Sequence, residues 1–341
     1  MTAAEGVSRR PKVGLLFTGG TISFRGRDRL DLAWYSESRQ QIPVGVDEFL
    51  ASVPEMATVA DVQGYDVAMP ASHAMVDADW LELLRRCHEL LSGEGLDGLV
   101  IGHGTNTLEE TAYFLHLTLK SDRPVVVVGS MRPASGLSND GQLNALNGVR
   151  VAADPASAGR GVVVLLNDTI HSARDVTKGA TYRTNAFEDR DLGPLGYAEA
   201  DGQVTWYHRS ERLHTLATEF SVAGLDALPR VDVVVSYVGT DGALVDAAVA
   251  AGAKGIVSAG TGSGRLGPRE EAALRRAAEQ GIVVCQASRV GSGKVGVGPG
   301  VLRNGFVAAG NLVPWKARVL LALALTVTGD VAAIQRMFDL Y

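Results

Sequence analysis

The stretch LVIGHGTNTLEETAYFLHLTL, residues 99–119, carries the pattern that decides the fold. It begins with a short apolar run at 99–102, of the kind that forms a buried strand. A polar turn of small residues follows, and residues 108–119 then place apolar side chains at helical spacing. A strand, a turn and a helix in this order are the repeating unit of an α/β sheet.

The same alternation extends along the chain on both sides of this stretch. Strands are predicted at 13–17, 99–102, 125–129, 162–167, 231–237, 255–258 and 282–286, and helices at 80–91, 108–119, 242–251, 268–280 and 314–325. Continuous Val-rich strands separated by helices predict a mostly parallel sheet covered on both faces. A polar stretch interrupts the alternation, so we predict a larger N-terminal α/β domain at 1–209, a linker at 210–229 and a smaller C-terminal α/β domain at 230–341.

Length, charge and cysteine content restrict the class of protein. A chain of 341 residues is long for one core, which favours two domains. The net charge is -6 and the basic residues are dispersed, unlike the basic patch of a nucleic-acid-binding protein. The two cysteines, Cys87 and Cys285, lie far apart outside any CxxC pattern, which predicts buried free thiols and neither a disulfide framework nor a metal site.

Apolar runs long enough for a signal peptide or a membrane span are absent from the sequence. We therefore expect a cytoplasmic protein that has no membrane partner.

Three polar motifs follow predicted strands, where ligands bind in open parallel sheets. They are 18–21 (TGGT), 103–107 (HGTNT), and 167–169 (NDT) with 174–178 (RDVTK) after it. A threonine beside glycines can approach a substrate closely, turn N–H groups can hold an oxyanion, and a lysine can serve as base to a threonine. Such a site would transfer acyl groups without metal or cofactor, although TGGT is also a common strand-to-helix turn.

Together these motifs resemble the bacterial type I/II L-asparaginase family over essentially the whole chain. The resemblance is carried by LLFTGGTI (15–22), IGHGTNTLEETAYFL (101–115), VVVVGSMRP (125–133), LLNDTIHSARDVTK (165–178), GPLGY (193–197), GIVSAGTGSG (255–264) and KARVLLALALT (316–326). It implies a two-domain α/β fold, hydrolysis of a side-chain amide to carboxylate and ammonia through a threonine acyl-enzyme, and a homodimer or homotetramer with sites near the subunit interface.

The resemblance also assigns roles to individual residues. Thr18 matches the first-loop nucleophile, Thr105 the second catalytic threonine, Lys178 the lysine that serves it, and Tyr35 the tyrosine of a flexible lid. Ser72 matches the serine that holds the α-carboxylate of the substrate. The full set of substrate-binding residues expected on this basis is Ser72, His73, Gly104, Asn106 and Ser263.

Four positions depart from the family pattern in the pocket that holds the substrate α-ammonium. Asn106 replaces an aspartate, His73 replaces a glutamine, Ser263 replaces an asparagine, and the Gly-rich loop 290–299 lacks a glutamate counterpart. Losing a buried charged partner costs about 2–5 kcal/mol in binding. One hypothesis is therefore a substrate whose α-ammonium is missing or acylated; the alternative is that other groups restore binding of ordinary asparagine.

These departures bear on two further expectations. Without a carboxylate at Asn106, Lys178 should become neutral at lower pH than in its relatives. The lid arginines (Arg25, Arg27, Arg29 and Arg39) could face an anionic substrate group or simply solvent.

Two alternative functions would use the same residues. An acyltransferase would share the acyl-enzyme, and a non-catalytic sensor would have no need of two threonines and a lysine.

Overall fold

The computed structural model describes residues 9–35 and 42–341 and contains an eight-stranded sheet followed by a four-stranded sheet. The strands are β1 Lys12–Phe17, β2 Phe24–Arg25, β3 Ile42–Pro43, β4 Asp61–Asp66, β5 Gly98–Gly102, β6 Val125–Val128, β7 Val162–Leu166, β8 Thr169–Ser172, β9 Val176–Lys178, β10 Phe187–Asp189, β11 Gly196–Ala198, β12 Val204–Trp206, β13 Val231–Val235, β14 Gly255–Gly260, β15 Val283–Ser288 and β16 Val307–Ala308. The α-helices are α1 Val46–Ser52, α2 Met56–Val59, α3 Asp77–His88, α4 Leu108–Thr118, α5 Gly141–Ala153, α6 Ala243–Ala250, α7 Pro268–Glu279, α8 Pro299–Asn304, α9 Pro314–Val327 and α10 Val331–Leu340.

The larger sheet has the order β12-β11-β8-β7-β6-β5-β1-β4. Its five strands from β4 to β7 run parallel, and β8, β11 and β12 extend one edge in antiparallel fashion. Successive side chains of β1 point to opposite faces, with Leu16 in one apolar cluster and Leu15 and Phe17 in the other. The prediction of a mostly parallel sheet covered on both faces is therefore confirmed.

The smaller sheet is fully parallel, with the order β13-β14-β15-β16. Helix α9 packs on β13, β14 and β15 and also on α4 of the N-terminal half. Its side chains are apolar almost all round, and Leu320 and Leu323 are fully buried. One helix thus joins the two sheets into a continuous core.

The stretch predicted as a linker, 210–229, contains one short 3-10 helix, Thr215–Ala217, and neither strand nor α-helix. It is nonetheless packed, because the buried Phe220 ring contacts Tyr341 at a centroid distance of 4.9 Å. The domain boundaries at 209 and 230 stay a prediction.

Several features of the fold differ from the sequence prediction. Asn167 and Asp168, placed in the third site motif, form a tight turn of the β7–β8 hairpin, and both have a positive φ (51° and 63°). Helix α5 was not predicted because its core face includes polar residues. Asn144 and Asn147 are buried there, and they donate to Gly129 O at 3.0 Å and to Asp168 Oδ1 at 2.8 Å. The other missed elements are helices α1, α2, α8 and α10 and strands β2–β4, β8–β12 and β16.

Cys87 and Cys285 are buried free thiols, as predicted, and burial raises the pKa of Cys87 to about 12. Among the helices in the described ranges 9–35 and 42–341, none combines the length and apolar character needed to span a bilayer.

Candidate active site

A cavity of about 540 Å³ opens at the carboxyl ends of β1, β5 and β9. Strands β1 and β5 are neighbours in the sheet, so the loops that follow them meet at one edge. The lining residues are Gly20, Thr21, Phe24, Leu32, Ala33, Tyr35, Ala71, Ser72, His73, Gly104, Thr105, Asn106, Met131, Lys178, Gly179, Ala180, Thr181 and Tyr182.

Two glycines allow the loops to pack against each other. A Cβ added at Gly20 would lie 2.2 Å from the Cα of Gly104, and one added at Gly104 would lie 2.4 Å from Ser72 Oγ. Gly20 also has a φ of 90°, which side chains rarely adopt. The first loop, the 103–107 loop and the loop of Ser72 can meet because neither glycine has a side chain.

Thr105 and Lys178 form a hydrogen-bonded pair on one wall of the cavity. Lys178 Nζ donates to Thr105 Oγ1 at 2.8 Å. Burial lowers the pKa of Lys178, and the charge of Glu109 opposes that change by raising it. A lysine with a lowered pKa is more easily neutral, and in that form it can accept the threonine proton.

Thr21 and Tyr35 form a second hydroxyl pair on the same cavity. Thr21 begins a 3-10 turn, Thr21–Ser23, and its Oγ1 is hydrogen-bonded to the phenol oxygen of Tyr35. Burial raises the pKa of Tyr35. The prediction that Tyr35 belongs to the site agrees with its position in the cavity wall.

Thr18 is the predicted catalytic residue that is not among the residues lining the cavity. Its hydroxyl donates to the carbonyl of Gly102 at 3.1 Å, and the residue is 4% exposed. Thr18 therefore joins β1 to β5 from within the sheet edge, whereas Thr21 faces the cavity. Both threonines belong to the TGGT motif. The backbone turn at Gly19 and Gly20 places only Thr21 on the cavity wall.

The predicted substrate-binding residues Ser72, His73, Gly104 and Asn106 all line the cavity. Ser72 and His73 lie in the 3-10 helix Ser72–Ala74, and Thr107 Oγ1 donates to Ser72 O at 2.7 Å. Within the part of the chain that the structure describes, no lining residue is acidic. The cavity wall thus has one lysine, one histidine and several hydroxyl and amide groups.

Ser263, by contrast, does not line this cavity. It is exposed in the loop between β14 and α7 of the C-terminal half. The Gly-rich loop 290–299 also lies outside the cavity, and its Ser292 Oγ donates to Asp191 Oδ1 at 2.7 Å. Neither region is among the described residues that line the cavity of its own chain.

The lid arginines among the described residues do not line the cavity either. Arg25 pairs with Glu48, and Arg27 pairs with Asp31 at 3.0 Å. Arg29 is exposed, and Arg39 lies outside the described residues. The described arginines therefore face solvent or neighbouring carboxylates. This agrees with the expectation that they face solvent and not an anionic substrate group.

Two buried groups support the loops around the cavity. His103 Nδ1 is hydrogen-bonded to Gly104 O at 2.7 Å, and burial lowers the pKa of this ring to about 4. Arg174 Nε donates to Tyr341 O at 3.0 Å, and its guanidinium pairs with Asp175 at 2.6 Å. Neither residue is among those that line the cavity.

The wall segment 179–182 and Met131 were not predicted from sequence. The sequence around Gly179, Ala180 and Thr181 contains no motif that identifies them as site residues. The hairpin of β9 and β10 brings them to the cavity.

Two family models match most of the chain. Residues 12–212 match the family model for the N-terminal domain of asparaginase, and residues 230–338 match the model for the C-terminal domain of glutaminase/asparaginase. The chain is 42% identical to L-asparaginase 2 of Bacillus subtilis (97% of this chain, 87% of that one) and 43% identical to L-asparaginase 2 of Escherichia coli (97% and 93%).

Similarity extends to a relative with a second named activity and to a solved structure. The chain is 39% identical to a glutaminase-asparaginase of Pseudomonas fluorescens (98% of this chain, 91% of that one). The crystal structure of a probable cytoplasmic L-asparaginase from Campylobacter jejuni superposes with a TM-score of 0.89 at 39% identity, covering 97% of this chain and 100% of that chain. The chain therefore belongs to the asparaginase family and is an asparaginase-type amidohydrolase.

Proposed function

We propose that this enzyme hydrolyses the side-chain amide of L-asparagine or a close analogue, giving a carboxylate and ammonia through a threonine acyl-enzyme. The observation that carries the proposal is the Lys178 Nζ–Thr105 Oγ1 hydrogen bond of 2.8 Å on a cavity that Thr21 also lines. A lysine held against a threonine hydroxyl can move the protons that acyl transfer to a second hydroxyl, that of Thr21, requires. The relatives named as L-asparaginases support the amide as substrate.

Thr21 takes the nucleophile role that the resemblance first gave to Thr18. Its Oγ1 attacks the amide carbon, and collapse of the tetrahedral intermediate breaks the C–N bond and releases ammonia. Water then attacks the ester, which returns the Thr21 hydroxyl and releases the carboxylate. Thr105 and Lys178 move the protons that these two steps require, with Lys178 neutral at the start.

A second candidate substrate is an amide without a free α-ammonium. It is favoured by the absence of an acidic side chain among the described residues of the cavity wall, with Asn106 where the family has an aspartate. A free ammonium would find amide and hydroxyl groups there, which bind it less strongly than a carboxylate does.

We also propose a homodimer or homotetramer in which a second copy completes the site. Support comes from the exposure of Ser263, which matches a position that the neighbouring subunit contributes in the family, and from its place outside the cavity of its own chain. A cytoplasmic location is proposed by analogy with the Campylobacter jejuni relative.

The test compares ammonia release from L-asparagine, succinamic acid and an N-acyl asparagine under identical conditions. Succinamic acid is the matched control because it differs from asparagine only in the missing α-amino group. Fast turnover of asparagine with poor turnover of the other two supports ordinary asparaginase activity. A preference for either of the others supports the second candidate. No ammonia from any side-chain amide would contradict both and favour the sensor interpretation.

A further inference from the structure

A buried carboxylate lies behind the Thr105–Lys178 pair and has no role in the mechanism described above. Glu109 is 5% exposed and sits in the first turn of α4, four residues after Thr105. Its Oε1 accepts the backbone N–H of Lys178 at 3.0 Å. A carboxylate in a first helical turn is commonly explained by the helix dipole, but that explanation does not require a contact with another strand.

This contact joins the two members of the catalytic pair through the backbone. Thr105 belongs to the loop that leads into α4, and Lys178 ends β9. Glu109 therefore fixes the strand that carries the lysine to the helix that follows the threonine. Its other oxygen, Oε2, is buried and has no hydrogen-bond partner within residues 9–35 and 42–341. An unbonded buried carboxylate oxygen is costly unless its charge is compensated nearby.

Lys316 of α9 supplies a compensating charge from the C-terminal half. It is fully buried, and its Nζ donates to Ala173 O at 2.9 Å, to Arg174 O at 3.0 Å and to Val176 O. These carbonyls belong to the segment that leads directly to Lys178. Attraction by Glu109 opposes the effect of burial, which lowers the pKa of Lys316 to about 8. The strand of Lys178 is thus held through its N–H by an anion and through preceding carbonyls by a cation.

Building on the proposed function, we propose that Glu109 is a positioning residue for Lys178: its buried carboxylate holds the lysine against Thr105 and sets the pH at which the lysine becomes a base. The carboxylate favours the charged form of Lys178. It therefore keeps the lysine protonated to higher pH than burial alone would. Other titratable groups near Lys178 are Glu188 from β10, Arg190 immediately after it, Lys316 from α9, and His73, Tyr35 and Tyr182 on the cavity wall.

The test is the pH dependence of kcat for Glu109→Gln, with Glu110→Gln as matched control. Glu110 is the next residue on α4 and does not line the cavity. Because the neutral lysine is the active form, activity rises as pH passes its pKa. Loss of the Glu109 charge should move this rising limb to lower pH and reduce kcat roughly 10-fold or more through misplacement, with little change in KM. Glu110→Gln should leave the limb in place.

A second measurement reads Lys178 directly and does not depend on activity. Competitive acylation of lysines with acetic anhydride at several pH values, followed by peptide mass spectrometry, reports the fraction of neutral Lys178. Its profile should move to lower pH in Glu109→Gln, and less in Glu109→Asp, whose shorter side chain withdraws the charge. If Glu109→Gln does not fold, Glu109→Asp still tests whether the carboxylate at residue 109 affects the protonation of Lys178.

Failure of this inference can be told apart from failure of the proposed function. If both profiles of Glu109→Gln coincide with those of Glu110→Gln while Lys178→Met is inactive, the positioning role is wrong and the mechanism stands. If Lys178→Met keeps full activity, the proposed use of Lys178 is wrong, whatever the Glu109 variant does.

Discussion

The two sides of the cavity are built differently. On one side, Thr105 and Lys178 follow or end strands of defined register, and buried Glu109 and Lys316 hold the lysine strand. On the other, Thr21 and Tyr35 lie in the segment that follows β1, and their side chains are hydrogen-bonded to each other. The core supports the first pair, whereas the second depends on the path of one loop. We expect the proton-transfer side to tolerate few changes and the nucleophile side to depend on loop packing.

The largest expected effect comes from removing the attacking hydroxyl. Thr21→Val should lower kcat by at least about a thousandfold, because covalent catalysis then loses its nucleophile. Steady-state ammonia release measures it. A valine variant that keeps more than a tenth of wild-type activity would remove Thr21 from the mechanism.

Removing the proton-transfer pair should have the next largest effect. Lys178→Met and Thr105→Val should each lower kcat by roughly 100- to 10,000-fold, the usual contribution of general acid–base groups. The double variant should lose little more than either single one, since the two side chains act as a unit. Thr118→Val is the control, because among the described residues the one partner of that buried hydroxyl is Phe114 O, to which it donates at 2.7 Å within α4. Additive losses in the double variant would contradict a coupled pair.

Loop packing can be tested with two adjacent glycines. Gly19 and Gly20 have φ values of 99° and 90°, but only a Cβ at Gly20 meets another loop, 2.2 Å from the Cα of Gly104. Gly19→Ala should cost about 1–2 kcal/mol in the free energy of unfolding from backbone strain alone. Gly20→Ala should cost about 1–3 kcal/mol more from overpacking and should also lower kcat. Denaturant unfolding and ammonia release measure both, and equal losses would show that the loop contact contributes nothing.

The pH dependence of kcat tests whether residue 106 is electrostatically coupled to Lys178. Burial lowers the pKa of this lysine, and a carboxylate next to it would raise that pKa. Asn106→Asp should therefore move the rising limb of the pH–rate profile to higher pH, because the lysine must be neutral to act as base. An Asn106→Gln variant controls for the change of side chain without charge. A limb that stays in place in the aspartate variant would mean that residue 106 and Lys178 are not coupled.

The smallest effect is expected at Thr18. Thr18→Val removes one hydrogen bond to Gly102 O, worth about 0.5–1.5 kcal/mol in stability, and should leave kcat near the wild-type value. Thermal unfolding and ammonia release would show it. A catalytic loss equal to that of Thr21→Val would restore Thr18 as a catalytic residue.

The sequence was sufficient to predict the parallel sheet and part of the site. Continuous Val-rich runs specify buried parallel strands, and Thr105 follows one of them directly, so its place at the sheet edge was predictable. Ser72, His73 and Asn106 followed from motif matching and do line the cavity.

The remaining features depended on backbone direction or on distant contacts. Whether Thr18 or Thr21 faces the cavity depends on two glycines with positive φ, which a residue pattern does not specify. The turn at Asn167 and Asp168 was read as a site loop because a hairpin turn and a ligand loop use the same small polar residues. The contact of Glu109 with Lys178 spans 69 residues of sequence, so no local pattern could reveal it.

The most direct test of the account is to locate the acyl group on the enzyme. The protein is mixed with saturating amide substrate, quenched in acid on the millisecond scale and digested with trypsin. The peptide of residues 13–25 contains both Thr18 and Thr21, and fragmentation separates them. The proposed mechanism predicts an acyl group on Thr21 that disappears as the substrate is consumed. An acyl group on Thr18 or on Thr105 would contradict it.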